Sequence, residues 1–262
     1  MSSPHEDKAV LQRELDYHEE LYSGFAQQHF AKPAVRALRE HMVRRVLEIS
    51  GAGRFSRVLS LGCGIGDTEL LLAPRVAELV GLDLSPAAID QARRDAARAG
   101  LSNVRFEVGS VETAGFAPAS FDLVVGIFLL HHLPQAVLEG LPSRLWELLR
   151  PGGLFYSLDP SRQRLSGKVG KLLIPRLMQK YQTPDEQELD AQATLQPFHS
   201  AGFEAMVNFY DFGSSPLAGL LPGWRAGYRL ARWVDDLLIR TPGVRQFGSN
   251  FEVITRRPRR RQ

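Results

Sequence analysis

Three glycines and an aspartate are the residues of this chain best suited to binding a ligand. Gly62, Gly64 and Gly66 follow the apolar run RVLSL and precede a helical pattern that begins near Asp67. A turn without side chains lets the backbone approach a bound molecule closely. Asp83 ends the next apolar run, where its carboxylate can accept two hydrogen bonds from a ribose diol. These residues together predict a site for an adenosine-bearing molecule.

The residue after the third glycine distinguishes between adenosine-bearing ligands. The dinucleotide fingerprint G-x-G-x-x-G requires a glycine at position 67, where this chain has Asp67. A carboxylate there repels a pyrophosphate and favours a ligand with positive groups. S-adenosylmethionine carries a sulfonium and an ammonium and no phosphate, so it is the predicted cofactor. No metal site is predicted.

Four sequence blocks resemble the class I S-adenosylmethionine-dependent methyltransferases. They are most similar to the small-molecule group that includes the ubiquinone, menaquinone and natural-product methyltransferases. The blocks lie between Arg57 and Asp159 and read, in order, VLSLGCGIGD, LVGLDLSPAAIDQAR, SFDLVVGIFLLHHLP and LRPGGLFYSLD. The resemblance implies that the protein is a methyltransferase enzyme.

The resemblance also implies the cofactor contacts. The three glycines of the turn wrap the methionine part, Asp83 takes the ribose, and Leu84 packs on the adenine. The family pattern GDAE, whose aspartate reaches the adenine amino group, reads GSVE here, so Ser110 replaces that aspartate. The predicted cofactor-binding residues are Gly62, Cys63, Gly64, Gly66, Asp67, Asp83, Leu84, Ser110, Val111, Gly126, Ile127 and Tyr22.

Two adjacent histidines are the candidates for acid–base chemistry. His131 and His132 follow the fourth predicted strand, at the sheet edge that faces the ligand. Imidazole has a pKa suited to a general base near neutrality, and Asp159, at the end of the fifth strand, can orient one of the two rings. His132 is the better match to the family's recurring histidine. A positional role in packing or capping remains the alternative for both.

Strand and helix patterns alternate around these residues. Uninterrupted apolar strands separated by helices indicate a parallel sheet covered on both faces. Ser85 as N-cap and Pro86 at the first position begin a helix that Gly100 ends. The N-terminal helical pattern breaks near Lys32-Pro33, and a further helix is predicted from about Asp185 to Ala201.

The predicted fold is α/β, Rossmann-like and doubly wound. It has a seven-stranded, mostly parallel sheet with an antiparallel last strand, N-terminal helices and a helical lid. The predicted divisions are an N-terminal helical cap (1–50), the S-adenosylmethionine-binding core (51–160), a lid insertion (161–184), the C-terminal part of the core (185–255) with a second lid insertion at about 214–242, and a basic tail (256–262).

The two lid insertions leave the sheet at the edge that holds the cofactor, and both are rich in apolar residues. We therefore expect a hydrophobic small-molecule acceptor resembling a secondary metabolite. Trp224, Tyr228 and Trp233 in the second lid are expected to form lid core or to surround the substrate. The segment Ser161–Gln182 carries six basic residues and no acid. It is either the solvated face of a lid or a contact with an anionic membrane surface.

Composition limits the compartment and the partners. The net charge is +3, but five arginines lie in the last seven residues and six basic residues lie in Ser161–Gln182. The rest of the chain therefore has a net charge of −8, and nucleic acid is not an expected partner. One cysteine, the absence of a secretory pattern at the N-terminus and the lack of a long apolar run predict a cytoplasmic protein. The oligomeric state is left open.

Several functions compete with O-methylation of a small molecule. C-methylation of a quinone or lipid would depend less on His132. A tRNA methyltransferase would use the arginine tail to hold phosphates, although no separate RNA-binding module is recognisable. A protein that binds S-adenosylmethionine without turnover and a nucleotide-dependent oxidoreductase complete the alternatives. Asp67 argues against the last of these.

Overall fold

The computed structural model describes residues 12, 13, 15, 16, 25–54, 56–165, 167 and 188–259. The strands are β1 (Arg57–Leu61), β2 (Glu78–Asp83), β3 (Val104–Val108), β4 (Phe121–Ile127), β5 (Leu149–Pro160), β6 (Glu204–Asp211) and β7 (Asn250–Arg256). The helices are α1 (Phe25–Phe30), α2 (Pro33–Ser50), α3 (Glu69–Leu72), α4 (Pro86–Arg98), α5 (Gln135–Leu148), α6 (Gln196–Ser200), α7 (Ser214–Leu220) and α8 (Arg225–Leu238). Tyr22 and most of the first predicted lid lie outside the described residues.

All seven strands form one sheet in the order β3-β2-β1-β4-β5-β7-β6. Neighbours among β1 to β5 pair in parallel, and β7 runs antiparallel between β5 and β6. The predicted mostly parallel sheet with an antiparallel last strand is confirmed. The strand order reverses between β1 and β4, which is where doubly wound folds bind ligands.

Apolar clusters on both faces of the sheet explain why its central strands are hydrophobic throughout. One cluster packs α5 and α6 against one face through Leu141, Leu145 and Phe198. The other packs α2, α7 and α8 against the opposite face through Met42 and Val46, among others. Because helices cover both faces, side chains that point either way from β1 and β4 are buried.

The predicted helix boundaries hold where the chain has clear cap residues. The Ser85 hydroxyl accepts a hydrogen bond from the backbone N–H of Ala88, 3.1 Å away, and Pro86 occupies the first turn of α4. Gly100 adopts the left-handed conformation just after that helix. Likewise, α2 begins at Pro33 as the Lys32-Pro33 break predicted.

The helix predicted from about Asp185 to Ala201 is present only in its second half. Among residues 188–201, the structure has a 3₁₀ turn at Ala193–Leu195 and the short α6, and residues 188–192 are not helical. The cause is local. The Asp190 carboxylate accepts hydrogen bonds from the N–H groups of Gln192 and Ala193, and Leu189 instead pairs with Ser161 in an isolated bridge.

The expected burial of the tryptophans in the second lid is also wrong. Tyr228 is buried, as expected, but Trp224 and Trp233 are both more than half exposed. They therefore form neither a lid core nor the wall of an enclosed substrate site. Helix α8 instead turns the polar side chains of Arg232 and Asp235 inward.

The beginning of the predicted arginine tail is part of the folded sheet edge. Arg256, the last residue of β7, donates to the carbonyl of Gly152. Arg257 donates to the carbonyls of Trp146 and Leu149, and its guanidinium lies 4.9 Å from the centre of the Trp146 ring. Arg257 thus stabilises the C-terminal end of α5, and Arg256 holds the beginning of β5.

No helix in the described ranges combines the length and the apolar content that crossing a bilayer requires.

An ion pair joins Arg45 of α2 to Glu252 of β7. The Nε and Nη2 groups of the partly exposed Arg45 each donate to the Glu252 carboxylate at 2.8 Å, and Glu252 is fully buried. The Tyr156 hydroxyl donates to the same carboxylate at 2.9 Å. The three hydrogen bonds that the Glu252 carboxylate accepts compensate for its loss of hydration.

We predict that Arg45→Met lowers the free energy of unfolding by about 3 kcal/mol, because it leaves the Glu252 carboxylate buried without its cation. Arg36→Met is the matched control, since Arg36 pairs with Glu40 in solvent and its loss should cost less than about 0.5 kcal/mol. Urea unfolding monitored by circular dichroism measures both. Equal effects of the two substitutions would contradict the prediction.

Candidate functional site

The glycine turn after β1 has a backbone conformation that would be strained for any residue other than glycine. Gly62, Gly64 and Gly66 have φ values of 63°, 52° and 77°, all in the left-handed region. The Cys63 N–H donates to the Leu82 carbonyl and the Gly66 N–H donates to the Cys63 carbonyl. The turn is thereby tied to the end of β2 and folded back on itself.

Asp83 connects the end of β2 to this turn. One oxygen of its carboxylate accepts from the Gly64 N–H at 2.7 Å, and the other accepts from the Ser85 N–H at 2.9 Å. Each carboxylate oxygen has a second lone-pair site that these bonds leave available. Asp83 also lines a cavity at the carboxyl edge of the sheet. It is therefore both anchored and able to bind a ligand.

The cavity beside Asp83 contains six of the residues predicted to be functional. They are Gly62, Asp83, Leu84, Ser110, Val111 and His132. The other lining residues were not predicted, and most of them are apolar: Leu15, Leu61, Leu82, Ser85, Gly109, Glu112, Phe128, Leu129, Leu133, Val137 and Leu141. Two features of the sequence could have indicated some of these residues: their position in the loop after β4, and the i, i+4 spacing of Val137 and Leu141 on α5.

The cavity suits a nucleoside in shape and chemistry. A Cβ atom added to Gly62 would lie 2.7 Å from Leu129 Cδ1, so this wall has no room for a side chain. Leu84, which should be buried if only packing mattered, is partly exposed at the cavity. Apolar walls around one anchored carboxylate fit a flat base attached to a sugar diol. The residues present therefore fit the adenosine part of S-adenosylmethionine.

The loop from Ser110 to Ala114 forms a second wall and is held in place from outside. Arg144 on α5 donates to the carbonyls of Val111 and Ala114, at 3.0 and 2.5 Å. The Ser110 hydroxyl lies 3.2 Å from the Thr113 hydroxyl. Ser110 lines the cavity although it is shorter than the aspartate of the family pattern.

Phe128 lines the cavity in an unfavourable backbone conformation. Its φ of 56° is in the left-handed region, which is uncommon for an aromatic residue. Its N–H donates to the Leu158 carbonyl at 2.7 Å, so pairing with β5 holds the strained backbone. Strain of this kind at a cavity wall is typical of functional sites.

The two histidines have different environments. His131 is buried, and its Nδ1 lies 2.9 Å from the Asp159 carboxylate, which also accepts from the Ser157 hydroxyl. His132 lines the cavity, and its ring centre lies 4.0 Å from that of His131. Asp159 therefore orients the ring behind the cavity wall.

The remaining predicted residues lie near the cavity but do not line it. Cys63 is buried beneath the turn, and burial raises the pKa of its thiol. Asp67 forms an ion pair of 2.7 Å with Arg39, which also lies 5.0 Å from the centre of the Phe30 ring. The others outside the lining are Gly64, Gly66, Gly126, Ile127, His131 and Asp159.

Gly66 has a packing role of its own. A Cβ atom at Gly66 would approach the Phe106 ring to 2.9 Å and Ala92 to 3.1 Å. This glycine allows the turn to pack closely on β3 and α4, as the third glycine does in related nucleotide-binding turns.

Glu69, under the glycine turn, was not predicted from the sequence. It is buried on α3, and its Oε1 accepts a hydrogen bond of 2.6 Å from the Ser60 hydroxyl on β1. In the described part of the chain, its Oε2 has no hydrogen-bond partner. Burial, with a smaller contribution from the nearby charge of Asp67, raises the pKa of Glu69 to about 7. The turn therefore rests on a carboxyl group that is protonated below neutrality.

Comparison with known proteins identifies the domain around this cavity. Residues 58–153 match the family model described as "Methyltransferase domain". The chain is therefore similar to methyltransferase domains over this region. The predicted resemblance to class I S-adenosylmethionine-dependent methyltransferases is confirmed for this part of the sequence.

Two curated relatives of the methyltransferase domain act on small molecules, as their names state. Aklanonic acid methyltransferase DauC of Streptomyces sp. (strain C5) is 38% identical over 122 residues, which are 45% of this chain and 54% of that protein. A 2-heptyl-1-hydroxyquinolin-4(1H)-one methyltransferase of Mycobacteroides abscessus is 35% identical over 101 residues, 38% of this chain and 44% of that protein. The chain thus spans about half the length of these relatives.

Solved structures share the whole fold at low identity. N-methyltransferase NodS from Bradyrhizobium japonicum WM9, in complex with S-adenosyl-l-homocysteine, has a TM-score of 0.59 and 16% identity, covering 93% of this chain and 98% of NodS. The [4+2]-cyclase SpnF also has a TM-score of 0.59, with 18% identity, covering 84% and 81% of the two chains. One fold therefore serves both named activities, and its function depends on the site.

We predict that stability falls as pH rises through the titration range of Glu69. The folded protein keeps a proton on Glu69 that the unfolded chain releases. The contribution of Glu69 to the free energy of unfolding is therefore fully present below pH 4.5 and is lost as pH rises to about 7. Glu69→Gln keeps an acceptor for Ser60 but cannot ionise, so this loss should disappear. The difference corresponds to at most about 3 kcal/mol.

Urea unfolding below pH 4.5 and above pH 7 tests this, with Glu107→Gln as the control because Glu107 is an exposed carboxylate. A pH dependence that is the same in wild type and Glu69→Gln would show that Glu69 does not cause it.

Proposed function

We propose that this protein is an S-adenosylmethionine-dependent methyltransferase that acts on a hydrophobic small molecule. The observation that carries the proposal is the cavity at the reversal point of the sheet. It joins the anchored carboxylate of Asp83, apolar walls and the His132 imidazole within the methyltransferase domain. Fold similarity alone would not support an activity.

The chain's own residues account for cofactor binding. When bound, S-adenosylmethionine supplies a methyl group on a sulfonium, ready for in-line displacement. Asp83 would accept hydrogen bonds from the ribose hydroxyls through its remaining lone pairs. Leu84 and Val111 would pack on the adenine, and the left-handed backbone at Gly62 and Gly64 would leave room for the methionine part. In this proposal Asp67 and Arg39 lie outside the cavity and support the turn.

A hydroxylated hydrophobic acceptor is the class that fits the site. Leu133, Val137 and Leu141 give the cavity an apolar wall next to His132. The names of the two curated relatives also indicate small organic acceptors. We extend this to the present chain as a secondary-metabolite-like acceptor that carries a hydroxyl.

His132 is proposed as the general base for transfer to oxygen. The bound cofactor would supply the methyl group, with its sulfur keeping the electrons of the S–CH₃ bond, and the His132 imidazole would take the proton that the acceptor hydroxyl releases. Asp159 holds His131, and the His131 ring packs against His132, so these two are positioning residues. The protein otherwise aligns the two substrates and excludes water.

C-methylation is the second candidate function. It is favoured by one observation, namely that the carboxylate-bound imidazole is His131, which is buried behind the wall. The hydrogen bond to Asp159 then stabilises a ring that does not line the cavity, and C-methylation would depend less on His132. Transfer to tRNA has less support, because Arg256 and Arg257 already donate to backbone carbonyls, those of Gly152 in β5 and Trp146 in α5.

Calorimetry of cofactor binding tests the proposal directly. We expect S-adenosylhomocysteine to bind and NAD not to bind, because the turn offers no site for a pyrophosphate. Asp83→Ala should weaken binding at least tenfold, since it removes hydrogen bonds to a charged acceptor. Asp122→Ala is the control, because Asp122 also accepts from a backbone N–H, that of Arg57, but at the opposite edge of the sheet. Binding of NAD alone would refute the proposal.

Transfer of a labelled methyl group tests the role of His132. With 2-heptyl-1-hydroxyquinolin-4(1H)-one and aklanonic acid as probe acceptors, His132→Ala should lower turnover at least about a hundredfold and leave S-adenosylhomocysteine affinity unchanged. Asp159→Asn should shift the pH profile of turnover more than the acceptor KM. His199→Ala, a change on the exposed part of α6, serves as the control. Full turnover in His132→Ala would favour C-methylation.

A further inference from the structure

Helix α8 presents an apolar face to solvent. Leu230, Trp233 and Leu237 are 61%, 68% and 62% exposed, and Val234 is partly exposed beside them. Their spacing of three and four residues places them on one side of the helix. We call Leu230, Trp233, Val234 and Leu237 the α8 apolar face. Contiguous exposed apolar side chains of this size usually mark an interaction surface.

The polar residues of α8 face inward and fix this orientation. Arg232 is buried and donates to the Tyr210 carbonyl at 2.8 Å. The buried Asp235 accepts from the N–H groups of Gly213 and Ser214, at 3.0 and 2.8 Å, and so caps α7. Rotating the helix to hide its apolar side would break these buried hydrogen bonds, each costly to lose. The apolar face is therefore held outward by the fold.

Positive charge borders the apolar face. Arg225 and Arg229 are exposed one helical turn apart on one flank, and Arg240 and Arg245 are exposed just beyond the C-terminal end of α8. The acids nearby are paired with arginines or cap a helix, since Glu40 pairs with Arg225, Asp236 pairs with Arg232 and Asp235 caps α7. The surface thus combines leucines and a tryptophan with an excess of guanidinium groups over carboxylates.

This combination selects among the surfaces that could cover the face. Against a second copy of the chain, a two-fold arrangement would bring the flanking arginines of both copies together, while the nearby acids Glu40 and Asp236 are already paired with arginines of their own copy. An anionic bilayer supplies both complements, acyl chains for the leucines and phosphates for the arginines. Tryptophan is enriched at the boundary between the two.

We propose that the α8 apolar face binds the surface of an anionic lipid bilayer. The helix lies parallel to the membrane plane, with Leu230, Trp233 and Leu237 in the headgroup boundary and Arg225 and Arg229 against lipid phosphates. This surface is separate in sequence from Ser161–Gln182, where membrane contact was expected. The inference does not depend on the proposed methyl transfer, because it rests on no residue of the cavity.

Co-sedimentation of the full chain with lipid vesicles tests the inference. We expect binding to vesicles of equal parts phosphatidylcholine and phosphatidylglycerol, weakened by added salt, and little binding to phosphatidylcholine alone. Combining Leu230→Ser, Trp233→Ser and Leu237→Ser should reduce partitioning about a hundredfold. Arg225→Gln and Arg229→Gln should each reduce it about fivefold.

Matched controls come from the opposite edge of the sheet. Val108→Ser changes another half-exposed apolar residue, and Arg94→Gln and Arg98→Gln remove exposed charges from α4. None of these should change partitioning, and thermal melting should show that every variant is folded. Unchanged binding in the triple serine variant would overturn the proposal, as would equal binding to neutral vesicles.

Sedimentation velocity without lipid addresses the competing occupant. A monomer supports the proposal. A dimer that the triple serine variant dissociates would instead assign the α8 apolar face to a second copy of this chain, and would overturn the membrane assignment.

Discussion

The hydrogen bond from the Gly64 N–H to the Asp83 carboxylate is the contact on which the candidate site depends. It joins the turn after β1 to the end of β2, the two neighbouring strands beside the reversal of the sheet. Without it, a turn with left-handed glycines at three alternate positions would have no fixed path, because glycine tolerates many conformations equally well. The carboxylate thus selects one shape of the turn and places its own free lone pairs at the cavity.

Buried polar groups elsewhere act in the same way, by fixing the position of backbone that lines the cavity. Arg144 holds the carbonyls of the loop that contains Val111, and Ser60 with Glu69 supports the turn from below. Asp159 fixes His131, against which His132 packs. Each of these groups lies behind the wall, where a hydrogen bond is stronger and its loss more costly than in water. The cavity surface itself is mostly apolar.

The same logic explains the unusual exposure of α8. Its inward Arg232 and Asp235 join it to β6 and α7, and this leaves its leucines and Trp233 outside. Burying the apolar side instead would gain hydrophobic stabilisation but leave those polar groups without partners. The exposed apolar surface thus belongs to the β6–β7 connection, whose helices pack with α2 on one face of the sheet.

The sequence by itself determined the mostly parallel sheet, its antiparallel last strand and the glycine turn. These follow from local signals, namely uninterrupted apolar strands, the Ser85 cap and glycines where side chains cannot fit. It also identified Asp83 and the pair of histidines, because strand ends in a parallel sheet meet at one edge. Most of the cavity wall was beyond its reach, since Leu129 and Val137 become neighbours only when the loop after β4 and α5 pack together.

Only the tertiary structure decided which histidine faces the cavity and which binds Asp159. Adjacent residues point in different directions according to the turn that holds them, here a 3₁₀ turn at Leu130–His132. It also decided that Asp67 pairs with Arg39, that Glu69 is buried, and that α8 turns its polar side inward. Each of these depends on a partner distant in sequence, and residue spacing along one element carries no information about that partner.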